Sequence, residues 1–328
     1  MTDSQDQKAF RAMSEDPEIH RRIAECIAPG IGGMDTVKEA FALAMFSGAG
    51  KNDGYGVYSR GDVSVLAVGD VVMGWSSILR SVCHLCEDSA YTRVWPCFDA
   101  GIDDYVSDLP ISAFPDNGGL VCIDGIGRLD NDIQRGLSDM LETGVYSAKG
   151  TIAKGGHPIL AVSNPIFERF IEDASISSQI SVNVKLLSRF DLILICTDDY
   201  DNDTDLKVAE SVLASEMCIW QKPAYEADAL RRYIAYARTI DPVMTGEASD
   251  VLEDAYLTLR DQMHMCTPRQ LSSMIKMSKA FARMHLSDTV TEGDAEKASN
   301  LMFRTLEDIK GEPEDVIPGT DLRTVSPP

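Results

Sequence analysis

A chain of 328 residues can bury a sizeable core, and that length carries a prior of about two domains. A hydrophobic share of 44% and a charged share of 25% are ordinary for a globular protein, and no stretch approaches the ~18 uninterrupted apolar residues of a membrane span, which argues against a membrane role. A net charge of −22 argues against a generic nucleic-acid-coating surface, because nonspecific affinity comes from Lys and Arg displacing counterions, although local basic patches remain allowed.

The opening MTDSQDQKAF is polar with no apolar run behind it, so the expectation is no signal peptide and a cytoplasmic location, or a nuclear one in a eukaryote. Residues 1 to 24 read as charged helix with Phe10, Met13, Ile19 and Ile23 as its apolar stripe. IAPGIGG, from Ile27 to Gly33, interrupts that pattern, and Val37 to Phe46 resumes a helix. A Gly-rich loop follows at Gly48 to Gly56. Arg60 to Asp62 spells RGD, which reads as a strand-entry turn rather than an adhesion signal.

Val63 to Leu85 reads as a buried strand, a glycine-bearing turn and a helix, the arrangement that cradles a nucleotide phosphate. Such a loop aims backbone N–H groups at the anion while a Lys reaches the β- and γ-phosphates and a Ser or Thr holds Mg²⁺. Gly69 ends the strand, Asp70 follows it and Gly74 precedes the helix, but Trp75 stands where the Lys belongs, with Ser76 after it. Cys83 and Cys86 form a CxxC. A structural zinc needs four ligands and no second pair exists, so packing is the favoured reading of these thiols.

Tyr91 to Asn117 reads as irregular, with Pro96, Pro110 and Pro115 denying it long elements. Gly118 to Asp124, GGLVCID, is a second buried strand ending in an acid, a Mg²⁺-side position in phosphate-loop enzymes. The Glu that polarises the attacking water in many of them is replaced by Gly125. Asp130 or Asn131 can cap a helix with Ile133, Leu137, Met140 and Leu141 on one face. Tyr146 to Pro158 alternates and carries Gly155-Gly156, which predicts a short hairpin tipped by Lys154. Ile159 to Pro165 is a strand ending in Asn164, and Leu186 to Cys196 is a helix end, a turn bearing Arg189 and a strand. The acidic run Thr197 to Asp205 reads as a loop and helix start rather than a metal site.

Strands separated by helices predict a parallel α/β sheet covered on both faces. Past Pro223 the pattern turns helical: Ala229 to Arg238, Ser249 to Asp261, Thr267 to Leu286 and Glu292 to Ile309. Thr267 with Pro268 opens the third of these and Thr291-x-x-Asp294 the fourth. The expected division is an α/β core over 1–222, a small α-helical lid domain over 223–310 and a flexible tail over 311–328.

In this order IAPGIGGMDTVKEAFALAMF, RGDVSVLAVGD, GGLVCID, YSAKGTIAKGG, ILAVSNP, LLSRFDLIL, LRRYIAYAR and TPRQLSSMIKMSKAFARMHLSDTVTEGDAEKA run from about residue 27 to 305. They resemble the AAA+ module of the minichromosome maintenance (MCM) family of replicative DNA helicases. LLSRFD, the YIAYAR helix and TPRQL, in that sequence, are the most specific. The resemblance implies an AAA+ phosphate-loop NTPase core with a helical lid, ATP and Mg²⁺ as cofactors, other MCM-type ATPase subunits as partners in a hetero- or homo-oligomer, and single-stranded DNA as a ligand.

By the same resemblance Asn164 matches the residue that positions the attacking water, and Arg189 and Arg269 match two arginines that reach a neighbouring subunit's nucleotide. Gly69, Asp70, Gly74, Trp75, Ser76 and Asp124 match nucleotide-contacting positions, Ser76 and Asp124 on the Mg²⁺ side. Lys149 or Lys154 matches the basic residue that tracks single-stranded DNA in a hexamer pore. The departures bear on activity: GDPGTAKS of the family is here GDVVMGWS, and IDE is IDG. The segment between these motifs is too short for the family's long helix-2 insertion. The family's N-terminal oligonucleotide-binding and zinc-bearing domain and its C-terminal winged helix have no counterpart in these residues. The expectation is a crippled nucleotide site beside surviving arginines that act in trans, with an ATP-dependent helicase or translocase working through atypical motifs as the alternative. Both place the chain in DNA replication or repair.

Overall fold

The computed structural model describes residues 4–48, 51–52, 58–70, 73–94, 109–115, 118–167, 169–171, 176–197, 202–217, 223–262 and 266–307. Three helices lead in: α1 (Ser4–Ser14), α2 (Ile19–Cys26) and α3 (Asp35–Met45). The expected stripe of Phe10, Met13, Ile19 and Ile23 is buried, but on two helices rather than one. Pro17 has no N–H to continue α1, and the Asp16 carboxylate accepts from the Glu18 N–H at 3.0 Å across the break. The Gly-rich stretch after Gly48 lies largely outside the described residues; β1 (Lys51–Asn52) and β2 (Tyr58–Ser59) within and beside it pair antiparallel.

The core continues with β3 (Val65–Gly69), α4 (Trp75–Leu85), β4 (Ser89–Arg93), β5 (Leu120–Asp124) and α5 (Asn131–Thr143). Next come the hairpin β6 (Val145–Ala148) and β7 (Thr151–Lys154), then β8 (Ile159–Ser163), the single turns α6 (Ile176–Gln179) and α7 (Val184–Leu187), β9 (Leu192–Cys196) and α8 (Asn202–Glu216). Tyr91 to Arg93 were expected to be irregular and instead form the end of β4. The aromatic and β-branched Tyr91 and Thr92 suit a strand, and pairing with β5 outweighs the prolines further on.

Five strands form one parallel sheet in the order β4-β5-β8-β3-β9. Alternation sorts their side chains onto two faces. Val65, Ala67, Leu120, Cys122, Leu160 and Val162 join one apolar cluster, while Leu66, Val68, Val121, Ile123, Ile159 and Ala161 join the other. Such strands read as continuous apolar runs because both faces are covered.

The lid comprises α9 (Ala227–Ala237), β10 (Val243–Met244), α10 (Gly246–Gln262), α11 (Pro268–Met284), β11 (Thr289–Val290) and α12 (Glu292–Glu307). Thr267 and Gln270 form the capping box at the start of α11, with Pro268 in its first turn. Asp294 and Thr291 reciprocate at α12: the Thr291 N–H donates to the Asp294 carboxylate at 2.9 Å and the Asp294 N–H to the Thr291 hydroxyl at 3.4 Å. Leu230, Tyr233, Met274 and Phe281 of the lid share one apolar cluster with α2, α3 and the first face of the sheet. The Phe10 ring meets Tyr233 edge-on at 5.3 Å, and the Tyr233 hydroxyl donates to the Met284 carbonyl at 2.6 Å. No described helix is long and apolar enough to cross a membrane.

Candidate functional site

In a parallel sheet all strand carboxyl ends lie on one edge, so Gly69, Asp124, Asn164 and the residues after them converge there. The structure brings together all seven residues expected around a nucleotide's phosphates. Gly74 takes the left-handed conformation, φ +75°, which turns the chain into α4. The first residue of that helix is Trp75, 4% exposed. Its indole N–H donates to the Asp70 carbonyl at 3.0 Å, and its ring lies so close over the preceding strand end that a Cβ on Gly69 would stand 2.7 Å from Cζ2. The indole therefore spans the ends of the phosphate loop, where the family has a cationic chain.

Three donors gather on one oxygen of Asp124. The Ser76 hydroxyl donates to Oδ2 at 2.6 Å and the Tyr91 hydroxyl at 2.8 Å, while Arg93 Nε stands 3.5 Å from the same atom. Burial and the facing carboxylate both push the Tyr91 hydroxyl's pKa up, so it stays a donor. Arg80 of α4 lies over the Tyr91 ring at 5.1 Å. On the opposite side the Asn164 amide donates to the Gly69 carbonyl at 3.0 Å, and the Asp70 carboxylate accepts from the Phe170 N–H at 3.1 Å. Ser76 and Asp124 are the right kind of oxygen ligand for Mg²⁺, which keeps several of its own waters. The phosphate side fits less well, because Trp75 brings no charge and fills the place of one that would. Gly125, in place of the acid, has φ +92°, a conformation that disfavours any side chain.

The opposite edge of the sheet carries the second group. A five-residue strand spans ~16 Å, so Arg189, just ahead of β9, stands about that far from its own phosphate loop. The Arg189 guanidinium pairs with Glu142 at the end of α5 rather than with Asp191, two residues on. Asp191 is taken by others, and the Arg189 side chain is 18% exposed with a buried Nε that has no hydrogen-bond partner among the described residues. Arg269, in the first turn of α11, donates to the Ser188 carbonyl. Burial and then the nearby Arg189 charge lower its pKa, which places the two guanidinium groups in one neighbourhood.

Asp191 is the anchor of that neighbourhood. One oxygen accepts from Arg60 at 3.0 Å and from the Ser64 N–H at 2.9 Å, and the other accepts from Ser273 at 2.6 Å and from Lys276, both on α11. Burial works against its charge, yet Lys276 and Arg60 hold its carboxyl at about 2. The RGD tripeptide thus lies within the fold, with Arg60 tied to Asp62 at 3.0 Å and to Asp191.

The hairpin differs from expectation at its tip. Lys149 and Gly150 both take positive φ, +45° and +79°, and form the two-residue turn, while Lys154 ends the returning strand. Gly155 and Gly156, taken as the turn, follow the hairpin instead. Tyr146 is buried against α5, where a Cβ on Gly136 would stand 2.9 Å from its ring, so Gly136 admits the close approach. Lys149 pairs with Asp130, and Lys154 is exposed. Asp130 occupies the N-cap position of α5 without a side-chain cap bond.

Cys83 and Cys86 are free thiols. Cys86 is buried and its thiol is pushed up to about 12, chiefly by that burial. No group of three or more metal-ligating side chains occurs among the described residues. Of the acidic run Thr197 to Asp205, residues 198–201 lie outside the described residues, and residues 202–205 open α8, the helix start expected there. Sequence reading missed Tyr91, Arg93, Arg60, Glu142 and Lys276; for Arg60, the RGD motif was the available signal, since a charged residue directly ahead of a buried strand needs a carboxylate partner.

The family described as "MCM P-loop domain" matches residues 6–216, and "MCM AAA-lid domain" matches residues 228–306. Among curated proteins, the chain is 32% identical over 329 residues to "Minichromosome maintenance protein MCM" of Saccharolobus solfataricus, covering 93% of this chain and 47% of that protein. It is 30% identical over 332 residues to "DNA replication licensing factor MCM4" of Arabidopsis thaliana, covering 92% and 38%. With "Zygotic DNA replication licensing factor mcm6-A" of Xenopus laevis it shares 28% over 335 residues, 94% and 40%. The chain thus spans less than half the length of these relatives.

Proposed function

The chain belongs to the MCM family of AAA+ modules, and from that premise we propose that it is a pseudo-ATPase subunit or regulator that acts beside an intact MCM-type ATPase in DNA replication or repair. On this reading residues 1–222 are the core, 223–310 the lid and 311–328 a tail.

The observation that carries it is Trp75 across the phosphate loop. An indole bonded to the Asp70 carbonyl leaves no cation for the β- and γ-phosphates, and Gly125 leaves no carboxylate to activate water. Bound ATP and Mg²⁺, if taken up, would meet Ser76 and Asp124 on the metal side and Asn164 near the water, and would supply the phosphoryl group whose transfer the chain can no longer promote. Arg189 and Arg269 lie on the far edge of the sheet from that loop, so their charges can serve only a neighbour's nucleotide. There a planar, permanently charged guanidinium meets the charge spread over the transferring phosphoryl group. In this reading Lys149 and Lys154 face single-stranded DNA once the assembly forms.

The test is ATP turnover. Alone, the protein is expected to show only background hydrolysis. Mixed with a full-length MCM ATPase from the same cell, it is expected to change that partner's turnover, and Arg189→Ala is expected to remove the change while the circular dichroism stays that of the wild type. Failure of any intact MCM protein to bind, or an undiminished effect from Arg189→Ala, overturns the in-trans role.

One observation favours a second reading, a helicase module with an atypical phosphate site. Arg93 stands at the same carboxyl edge and 3.5 Å from Asp124, where it could lend a phosphate the charge that Trp75 does not. Robust DNA-stimulated hydrolysis by the chain alone, lost in Arg93→Ala, would select it.

A further inference from the structure

We infer that Arg60 is a positioning residue for the arginine pair, one that fixes Arg189 against Glu142 and ties both to the lid helix bearing Arg269. This rests on the in-trans reading of Arg189 and Arg269 above.

The Arg60 guanidinium is used on three sides. Nη1 donates to two carbonyls, Leu141 at 3.1 Å and Arg189 itself at 3.2 Å. Leu141 immediately precedes Glu142, the carboxylate that holds the Arg189 guanidinium. One nitrogen therefore clamps the backbone beneath both members of the Arg189–Glu142 pair. Nη2 reaches Asp191 Oδ2 at 3.0 Å, and the other oxygen of that carboxylate holds Ser273 and Lys276. Those two residues lie one and two turns beyond Arg269 on α11, so a chain of three contacts connects the Arg189 backbone to the helix that aims Arg269.

The Arg60 side chain is 12% exposed and Asp191 3%, which makes the link stiff: charged hydrogen bonds out of water are stronger and tolerate little displacement. Arg189 is held differently. Its Nε has no hydrogen-bond partner among the described residues, and its pair with Glu142 is open to water on the carboxylate side, 46% exposed. The finger is thus set by its backbone and by Glu142, and Arg60 controls both. An Arg is required because only a forked, planar group can meet two carbonyls and a carboxylate at once. Lys offers one nitrogen.

The test is Arg60→Lys in the full chain, with Arg11→Lys, an exposed surface change, as control. The Nε–Hε resonances of Arg189 and Arg269 are expected to shift in a ¹⁵N spectrum of the folded protein, beyond any change in the control. In mixtures with an intact MCM ATPase, the Arg189-dependent change in the partner's kcat is expected to shrink about threefold or more while its KM for ATP stays put. If Arg60→Lys lowers the melting temperature but leaves both resonances where they were, Arg60 is structural only and the inference fails. If the resonances move but Arg189→Ala itself has no effect on the partner, the inference about geometry stands and the in-trans reading falls. If Arg189→Ala matters and Arg60→Lys does not alter kcat, positioning by Arg60 is wrong. Should Arg60→Lys fail to fold, Ser273→Ala, which removes one bond to Asp191 from α11, is expected to shift the Arg269 resonance alone, and its failure to do so overturns the lid half of the link.

Discussion

The two edges of the central sheet have parted company. At the carboxyl edge, polar groups satisfy one another: Trp75 bonds to Asp70, Ser76 and Tyr91 bond to Asp124, and Asn164 bonds to Gly69. At the amino edge, Arg189 keeps a buried Nε with no hydrogen-bond partner among the described residues, and burial, then the nearby Arg189 charge, lower the pKa of Arg269. Buried donors without partners and close like charges are costly, so their presence calls for an explanation, whereas a self-satisfied cluster calls for none. The contrast makes the amino edge the place to test the in-trans role proposed above.

The amino edge is most sensitive at Asp191. Removing its carboxylate leaves Lys276 and Arg60 buried without their counter-charge, so Asp191→Ala is expected to cost about 3–5 kcal/mol at neutral pH in urea unfolding. The carboxyl is held below its ordinary range in the fold, at about 2. Its contribution is therefore full above about pH 4 and lost as the pH falls toward 2, a fall worth about 2 kcal/mol. The gap between wild type and variant should narrow over that interval. A gap that stays constant from pH 6 to pH 2.5 would show that Asp191 is not the anchor.

Arg189 and Asp191 mark the limit of what local sequence pattern reports. The parallel sheet, the helical lid and the convergence of Gly69, Trp75, Ser76, Asp124 and Asn164 were legible, because apolar runs, caps and glycines report local structure and strand ends of a parallel sheet must meet. The pairing of Arg189 was not. Asp191 is two residues away and was the obvious counter-charge, but in a strand entry the side chains two apart face the same way only if the backbone is already extended, and the turn at Ser188–Phe190 turns Arg189 toward α5 instead. The hairpin tip was missed for a different reason. Gly155-Gly156 looked like the stronger turn signal, yet Lys149-Gly150 matches the register that buries Tyr146 on α5, and tertiary packing set the register.

A smaller effect tests whether the carboxyl edge can be reopened. Trp75→Lys restores the family's cation but empties a buried aromatic position, and is expected to cost about 3 kcal/mol. Gly125→Glu restores the acid at φ +92° and is expected to cost about a further 1 kcal/mol. The double variant should thus be markedly less stable than wild type in urea, and any hydrolysis it recovers should appear only in an assembly that supplies a neighbour's arginine. If instead Trp75→Lys is as stable as wild type, the indole is not part of the packed core and the closure of the loop has been misread. The fluorescence of Trp75 gives an independent check: wild type should show no saturable change with micromolar ATP and Mg²⁺, and a clear change lost in Asp124→Ala would return the carboxyl edge to use.

The smallest expected effect belongs to the hairpin, which rises beside the amino edge and folds back along α5. Its two lysines are not equivalent. Lys149 is engaged with Asp130, so moving it onto a phosphate exchanges one carboxylate partner for another anion and yields little net gain. Lys154 is exposed at the end of β7 beside the exposed Ile152, and neutralises a phosphate more cheaply. On a chain of net charge −22 the surrounding field opposes DNA, so any single-stranded binding must come from such local groups within an assembly. Each lysine that neutralises a phosphate contributes about 0.7 to the slope of log affinity against log salt on a single strand. Lys154→Ala is therefore expected to reduce that slope by about 0.7 in fluorescence anisotropy titrations of the mixed assembly, and Lys149→Ala by clearly less. Equal losses from the two would mean that the Lys149–Asp130 pair opens on binding, and the order reversed would assign the DNA contact to the hairpin's tip.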